Sequence, residues 1–424
     1  MKSNHIKLLT GIFLFALGIR IGFLLLFPEV GWLNYQYDTI GWNLAQGHGY
    51  SMDPEPPYTP SAYRPPVYPF MLAAVYAIFG HSYAAAKGLQ AIIGALTCIL
   101  IYLIALNVFD RRTGIIAALV SEVYPAFLFY VNMLVMEVVL IFLVAVTIYL
   151  FVKVVKHKTL GYQIALGASI AIASLCRPIM LLFPLIVLAV IYYVYRNKGL
   201  ALRHFGVMFA TTVMVLTPWS VRNYLVFHKF IPVVSKGTGE QLWFGLYLAK
   251  ENPHDLEAKL FTAVKAKRDS ITAGLSHMET EKELQRLALR EIMENPLAYV
   301  GKAFLKMGKL WYHPIGAIRT LPRYSQTLAN FLIIAYYIML LLALGGIVRV
   351  RHKFRSALPL IAVIAYFTII HSLLYVVNRY RVAALPYVII FASYALSQVL
   401  PTLSKMSRGI WRSSEKGVKR TLAA

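Results

Sequence analysis

Long apolar runs dominate this 424-residue chain and restrict what it can fold into. A helix needs about 20 apolar residues to cross a bilayer, and about ten segments meet that length. They lie near residues 8–27, 85–107, 113–132, 134–153, 160–176, 179–195, 203–222, 326–347, 356–377 and 381–400. The sequence therefore predicts an all-α, polytopic membrane protein.

The formal charge of +24 would suit a nucleic-acid partner, but its distribution does not. The basic residues form short clusters between apolar runs, as in "DRRTG" at 110–114 and "RVRHKFR" at 349–355, and a basic tail at the C-terminus. Cytoplasmic loops of membrane proteins carry such clusters. The charge therefore indicates topology, and nucleic acid is excluded as a partner.

Residues 67–80 decide the orientation of every later span. The run is only about 14 residues long, which is short for a crossing, and counting it as a span would turn the basic loops outward, against the positive-inside rule. We predict a helix in the outer interface. Both termini then lie in the cytoplasm, the membrane is the cytoplasmic (inner) one, and the active site faces the external or periplasmic side.

The same pattern divides the chain into four regions. Residues 1–222 form an N-terminal transmembrane module with the first external loop, which would hold the catalytic site. Residues 223–325 form an external helical region, with breaks near 272–274 and at Pro296. Residues 326–400 form the C-terminal transmembrane helices, and residues 401–424 form a basic cytoplasmic tail.

Charged residues at the outer ends of different spans converge on one face in this topology. They are Asp38, Arg64, Glu137, Arg177, Arg222 and the "NRYR" cluster at 378–381. Asp38 is the one carboxylate in "NYQYDTIGWNLAQGHGY" and lies among aromatic residues where lipid meets water. A partly desolvated carboxylate suits a general base. Its place before Thr39 equally suits a helix N-cap, so both readings stay open.

An ordered set of segments resembles the lipid-dependent GT-C glycosyltransferases, which include the protein O-mannosyltransferases and the lipid A aminoarabinose transferase. The segments are "YDTIGWNLAQGHGYS", "YRPPVYPFMLAAVYAIFG", "GLQAIIGALTCILIYLIALNVFDRRTGIIAAL", "YPAFLFYVNMLVMEVV", "LTPWSVRNYLVFHKFIPVVSKGTGEQLWFGLY" and "ALREIMENPLAYVGKAFLKMGKLWYHP". The resemblance implies transfer of a sugar from a polyprenyl-phosphate donor to a glycan, lipid or protein on the outer face, in one inverting displacement with Asp38 as catalytic residue. The chain has a single acid at "YDT" where the protein O-mannosyltransferases have an adjacent Asp-Glu pair, and it lacks their soluble extracellular domain.

The charge of the donor predicts its binding residues. A departing polyprenyl phosphate leaves as an anion and needs no proton donor, while its phosphate suits the two-point contact of a guanidinium. We assign phosphate binding to Arg379, Arg381, Arg64 and Arg222. Supporting or acceptor-side roles fall to Glu137, Tyr380, Trp42 and Tyr63.

Two other functional classes fit parts of the pattern. A transporter or flippase for lipid-linked saccharides would need ionisable residues and broken helices at mid-membrane, and an O-antigen polymerase or ligase would use outer-face arginines without needing Asp38. His313 and His371 could ligate a metal, but their spacing supports no site, so we assign no metal and no other cofactor. The sequence identifies neither the sugar, the acceptor, nor the oligomeric state.

Overall fold

A computed structural model describes residues 2–28, 35–235, 237–247, 256–312 and 325–399. The structure confirms the predicted all-α class. Within those ranges there is no strand, and the one β-type contact is an isolated bridge between Ser51 and Pro60. The basic tail and His313 lie outside the described residues, so their predicted roles stay predictions.

The N-terminal half contains ten helices within the described ranges. They are α1 (Lys2–Leu26), α2 (Tyr35–Ala45), α3 (Val67–Phe79), α4 (Tyr83–Val108), α5 (Arg111–Glu122), α6 (Pro125–Asn132), α7 (Glu137–His157), α8 (Leu160–Cys176), α9 (Phe183–Tyr195) and α10 (Lys198–Phe227). A 3-10 turn, Pro178–Leu182, leads into α9. Buried aliphatic and aromatic residues of α4, α7, α8 and α9 form the central core.

The second half begins with shorter, more polar helices and ends with apolar ones. They are α11 (Gly239–Tyr247), α12 (Leu256–Ile271), α13 (His277–Glu294), α14 (Pro296–Tyr312), α15 (Gln326–Arg349), α16 (Phe354–Leu373) and α17 (Leu385–Val399). A 3-10 turn, Asn378–Ala383, joins α16 to α17 and carries the "NRYR" cluster. The predicted breaks near 272–274 and at Pro296 are confirmed, since α12, α13 and α14 begin and end there.

Six helices of the described chain are long and apolar enough to cross a membrane. This number counts α15 and α16 as one stretch, Gln326–Leu373, and a bent pair, α5 with α6, is a seventh candidate. Helices α3, α8 and α17 are apolar but shorter. The chain is thus a multi-pass membrane protein, while the count of ten spans stays a prediction.

The span predicted at 113–132 is broken in the middle. Helix α5 ends at Glu122, α6 begins at Pro125, and the two axes bend by 47°. Proline has no backbone N–H and disfavours helical geometry in the residue before it, and Tyr124 is accordingly extended, with φ −66° and ψ 120°. The break turns α6 toward the start of α7, where Glu137 lies.

Helices α2 and α3 form a closely packed pair. Helix α3 has only 13 residues, as the sequence predicted. Gly41 makes the close approach possible, because a Cβ at this position would lie 2.7 Å from the Cβ of Leu72. The pair therefore holds one face of α2, and with it Asp38, against α3 and the turn that follows.

Candidate active site

Asp38 lies in a pocket of hydrogen-bond donors. Its carboxylate is buried, and Oδ1 accepts hydrogen bonds from the Tyr76 hydroxyl at 2.7 Å and from His81 Nε2 at 2.9 Å. Oδ2 accepts from the Tyr83 hydroxyl at 3.1 Å. Three donors from α3, the following turn and the start of α4 therefore fix this side chain. We call Asp38, Trp42, Tyr76, His81 and Tyr83 the Asp38 pocket.

The structure contradicts one of the two readings of Asp38, the helix N-cap. Helix α2 begins at Tyr35, so Asp38 lies inside its first turn instead of preceding it. Every hydrogen bond found for its carboxylate comes from a side chain on another element, and none from a backbone N–H of α2. The N-cap reading is therefore wrong, since the side chain points away from the helix end.

The aromatic residue predicted beside Asp38 belongs to the same pocket. Trp42 stacks on the His81 ring, with centroids 4.7 Å apart and an interplanar angle of 13°. It also meets the Tyr76 ring edge-on at 6.2 Å. Trp42 is half-buried, so one face supports His81 while part of the indole remains open to the outside.

Tyr37 connects the Asp38 pocket to a second group of charges. Its hydroxyl donates to the Met136 sulfur at 3.3 Å, directly before Glu137. Burial raises the pKa of Tyr37 to about 12, and the charges of Arg64, Glu137 and Arg177 also act on that pKa. These charges therefore surround Tyr37, the neighbour of Asp38 in sequence.

Glu137 and Arg379 face each other in this second group. Glu137 begins α7 and is 2% exposed, and its Oε1 lies 3.9 Å from Arg379 Nε. The Arg379 side chain is 40% exposed. Tyr380 is held between the Arg177 guanidinium, 4.3 Å from its ring centroid, and the His371 ring, 4.7 Å away. The turn after α16 thus presents an arginine to the start of α7.

Arg64 joins the same region from the first external loop. Its Nε donates to Gln36 Oε1 at 2.7 Å, and its Nη2 donates to the same oxygen. The guanidinium lies over the rings of Tyr37 and Tyr63, at 5.1 and 5.2 Å from their centroids. The groups that hold Arg64 are all neutral, and its side chain is only half-buried. Its positive charge can therefore interact with an anionic ligand.

Arg222 has a different environment from the other predicted arginines. Its Nη1 donates to the Ser61 carbonyl at 2.8 Å and to Asn223 Oδ1 at 3.0 Å. The guanidinium also lies 5.1 Å from the Trp219 ring centroid and 5.6 Å from that of Tyr50. These contacts attach the loop after α2 to the end of α10.

Arg381 is fully buried, although it is only two residues from Arg379. Its Nη1 donates to the Leu310 carbonyl at the end of α14, and its guanidinium lies over the rings of Tyr336 and Trp311, at 4.9 and 5.8 Å. Arg64 thus lies over Tyr37, and Arg379 faces Glu137, the residue after the Met136 that Tyr37 contacts. The contacts of Arg222 and Arg381 lie elsewhere.

Helix α14 exchanges hydrogen bonds with α15 and with the segment between α16 and α17, which carries Arg379. The last carbonyls of a helix have no partner inside it; here the Trp311 and Tyr312 carbonyls accept from Tyr336 and Tyr337, at 2.7 and 2.5 Å. In return, Lys306 Nζ donates to the Leu374 carbonyl, just after α16, at 2.9 Å. Helix α14 therefore anchors the turn that carries Arg379.

Sequence reasoning missed three members of the Asp38 pocket, namely Tyr76, His81 and Tyr83. The signal that could have found them is "GHSY" at 80–83. If residues 67–80 form an interfacial helix, this turn lies on the outer side with Asp38. Gly80 has φ +67°, a conformation that favours glycine, and ends α3 immediately before His81.

Metal-ligating side chains do not form a cluster in the described part of the chain. No three His, Cys, Asp or Glu side chains lie close enough together there to hold an ion. His371 is buried against Tyr380 and Phe367 and makes ring contacts only.

A family model covers part of the chain. Residues 63–221 match the model described as dolichyl-phosphate-mannose-protein mannosyltransferase. The matched segment includes Arg64 and Glu137, and it leaves out Asp38, Arg222 and the "NRYR" cluster. No curated protein sequence matches the chain.

Solved structures are similar in fold. The archaeal oligosaccharyltransferase AglB from Archaeoglobus fulgidus, in complex with an inhibitory peptide and a dolichol-phosphate, is 15% identical with a TM-score of 0.57; the match covers 96% of this chain and 52% of that one. The same enzyme tethered to an acceptor peptide is also 15% identical, with a TM-score of 0.57. That match covers 93% of this chain and 50% of the enzyme. This chain therefore spans about half the length of AglB. ArnT from Cupriavidus metallidurans, bound to undecaprenyl phosphate, gives 15% identity and a TM-score of 0.42, covering 93% of this chain and 78% of ArnT.

The sequence match and the fold agree with the resemblance read from the sequence. The family model covers the first transmembrane helices after the Asp38 loop, and the likeness to AglB extends over nearly all of the chain. Residues 63–221 thus match the mannosyltransferase model, and nearly all of the chain has a fold similar to that of AglB.

Proposed function

We propose that this protein transfers a sugar from a polyprenyl-phosphate carrier to a hydroxyl acceptor on the outer face of the cytoplasmic membrane. The acceptor is a glycan, a lipid or a protein. The reaction is a single displacement that inverts the anomeric centre, and it depends on the carboxylate of Asp38. The lipid carrier seen in the AglB structure, a dolichol-phosphate, supports a donor of this class.

One observation carries this proposal: a carboxylate fixed by hydrogen bonds, that of Asp38, follows directly in sequence on Tyr37, over whose ring the Arg64 guanidinium lies. Asp38 is held by three donors on one side of α2. Tyr37 donates to the Met136 sulfur, and the charges of Arg64, Glu137 and Arg177 act on its pKa. A site that combines proton removal with binding of an anion needs both groups within one ligand's length.

The chemistry of the two substrates explains the need for both groups. An acceptor hydroxyl is a weak nucleophile and needs a base to take its proton. The departing polyprenyl phosphate carries its own negative charge, with a second pKa of about 6, and needs cations instead of an acid. Guanidinium groups bind phosphate oxygens at two points. A carboxylate together with arginines therefore supplies what the transfer requires.

The contacts divide the four predicted arginines into two pairs. Arg379 and Arg64 are part-exposed and lie beside Tyr37 and Glu137, so we assign the donor phosphate to them. Arg381 binds the end of α14, and Arg222 binds the loop at Ser61. We assign these two arginines to positioning the elements around the site.

The side of the membrane rests on the charge distribution. Reporter fusions after residues 112 and 200 should be cytoplasmic, and a fusion after residue 270 should be external. An external reporter after residue 112 would mean that residues 67–80 cross the membrane, and it would contradict the outer location of the site.

The activity is tested with the purified full chain in lipid nanodiscs. Radiolabelled polyprenyl-phosphate sugars are offered with a membrane lipid and glycan extract as acceptor, and release of free polyprenyl phosphate is followed with formation of labelled product. Acceptor-dependent release supports the proposal. Donor that moves across sealed vesicles without being consumed would identify a flippase instead. Mass spectrometry of surface glycans and lipids, with and without the protein, then identifies the acceptor.

A further inference from the structure

We propose that His81 takes the proton of the acceptor hydroxyl and that Asp38 holds and orients its imidazole. The inference rests on the proposed function and specifies which atom of the Asp38 pocket meets the acceptor. Neither the sequence signals nor the family-model segment singles out this histidine. It sits at the corner between α3 and α4, one residue after Gly80.

Hydrogen-bond chemistry determines which ring nitrogen is free. An ionised carboxylate only accepts hydrogen bonds, and a neutral imidazole has one N–H and one lone pair. Because His81 Nε2 lies 2.9 Å from Asp38 Oδ1, Nε2 must carry the hydrogen. The lone pair then resides on Nδ1, which has no hydrogen-bond partner among the described residues. His81 is thereby prepared as a proton acceptor pointing away from Asp38.

Exposure distinguishes the two candidate bases. The His81 side chain is 35% exposed, whereas that of Asp38 is 8% exposed. Tyr76, His81 and Tyr83 already occupy both Asp38 oxygens. Oδ2 accepts only one of these hydrogen bonds, but the Asp38 side chain is far less exposed than that of His81, whose Nδ1 has no hydrogen-bond donor to displace among the described residues.

The ring is held firmly enough to act in one orientation. Trp42 stacks on one face at 4.7 Å. Tyr76 and Tyr83 meet the ring at 76° and 79°, with centroids 4.7 and 5.1 Å away. The backbone is also fixed, because the Ser82 hydroxyl accepts from Ala85 N and begins α4. A base positioned in this way loses little freedom when the acceptor binds.

The proposed step balances as follows. The acceptor O–H bond breaks, and its proton goes to His81 Nδ1. The oxygen forms a bond to the anomeric carbon, while the bond from that carbon to the phosphate oxygen breaks and its electron pair leaves with the polyprenyl phosphate. The imidazolium is stabilised by the Asp38 carboxylate and afterwards releases the proton to water. Asp38 remains ionised throughout.

The test uses His81→Ala with His48→Ala as its matched control. His48 lies in the same external loop and stacks on Tyr58 at 4.1 Å, without a carboxylate contact. Loss of a positioned base lowers a rate by roughly 10²- to 10⁴-fold. We expect such a loss of kcat in His81→Ala, partial recovery when free imidazole is added, unchanged donor binding, and wild-type activity in His48→Ala.

A second variant guards against a purely structural effect. In His81→Gln the amide can still donate to Asp38, but it offers no basic nitrogen, so we expect a folded protein with the same loss of kcat. Wild-type kcat in His81→Gln would overturn the inference, and so would a loss in His81→Ala that imidazole does not relieve while His81→Gln stays active. Both outcomes leave transfer by the wild-type protein intact; absence of transfer in the wild type would contradict the proposed function itself.

A pH profile gives an independent reading of the same step. The titratable side chains that face His81 are Asp38 from α2, Tyr76 from α3 and Tyr83 from α4. If imidazole is the proton acceptor, kcat in the wild type falls as the ring is protonated at low pH. This acid limb should disappear from the residual activity of His81→Gln. An unchanged acid limb in that variant would count against His81.

Discussion

Two buried carboxylates, Asp38 and Glu137, differ in how many hydrogen bonds they accept from the protein. Asp38 accepts hydrogen bonds from three side chains at 2.7 to 3.1 Å. Glu137 is more deeply buried, yet its nearest cation, Arg379, is 3.9 Å away, which is too long for a hydrogen bond. In the described residues no side chain donates a hydrogen bond to Glu137.

The difference indicates that the two carboxylates have different roles in one site. A buried acid with all its hydrogen bonds is fixed and ready for use. A buried acid without them bears a desolvation cost until something donates to it. We infer that the Asp38 pocket is complete before substrates arrive, and that Glu137 is completed by a hydroxyl of the acceptor.

Asp38→Asn should have the largest effect on activity. The amide carries no charge and cannot stabilise the imidazolium or accept from all three donors, so kcat should fall roughly 10²- to 10⁴-fold. Donor binding should persist, because it depends on the assigned arginines and none of them contacts the Asp38 carboxylate. Transfer kinetics and donor binding are measured on the same purified variant.

Asp53→Asn is the matched control for that change. Asp53 is an acid of the same loop, and its carboxylate binds Thr59 and Ser51 at the surface. This variant should keep wild-type kcat. Full transfer activity in Asp38→Asn would remove Asp38 from the mechanism.

Glu137→Gln should have the next largest effect, and it should change the KM for the acceptor more than kcat. If Glu137 receives an acceptor hydroxyl, the loss of a hydrogen bond to a charged group costs roughly 1 to 3 kcal/mol. The KM for the acceptor should then rise about tenfold to a hundredfold, with kcat less affected. Folding should be retained, because the neutral amide is easier to bury. An unchanged acceptor KM would leave Glu137 as a partner of Arg379 alone.

Arg379→Lys and Arg381→Lys should separate binding from architecture. Lysine keeps the charge but loses the two-point contact, so Arg379→Lys should raise the donor KM about tenfold with an unchanged melting temperature. Arg381→Lys should lower the melting temperature, because the bond to Leu310 and the stacking on Tyr336 are lost. The reverse pattern, measured by donor titration and thermal unfolding, would exchange the two assignments.

Lys306 should give the smallest effect, a dependence of stability on pH. Burial lowers the pKa of Lys306 to about 8, below its ordinary value of 10.5. Between these values the unfolded chain binds a proton that the folded protein has released, so stability rises with pH from about 8 upward. The melting temperature should show this rise, and Lys306→Met should lack it. An equal rise in the variant would assign the effect to another group.

The sequence predicted helix positions well because apolar length and basic loops follow directly from the bilayer. Helix α8, for example, has the bounds expected for it. Side-chain direction was harder to predict. Arg379 and Arg381 share a 3-10 turn and carry the same sequence signal, yet one faces Glu137 and the other α14. Their difference depends on a helix about 70 residues away, which no local pattern contains.

The partners of Asp38 were missed for a related reason. Tyr76 and Tyr83 come from two helices, and only the close contact of α2 with α3 and the turn at Gly80 brings them to one carboxylate. A single sequence displays apolar periodicity and helix ends, but it does not display which aromatic hydroxyls meet in space. Asp38 was therefore predicted as a site residue without its surroundings.

The exchange of hydrogen bonds around α14 bears on how enzymes of this architecture could be recombined. Leu310, Trp311 and Tyr312 rely on side chains from the later helices, and Leu374 relies on Lys306. A chimera that joins a foreign segment to these transmembrane helices would leave both sets of carbonyls without hydrogen-bond donors. A successful chimera would have to take α14 and the residues at positions 336, 337 and 381 from the same parent protein.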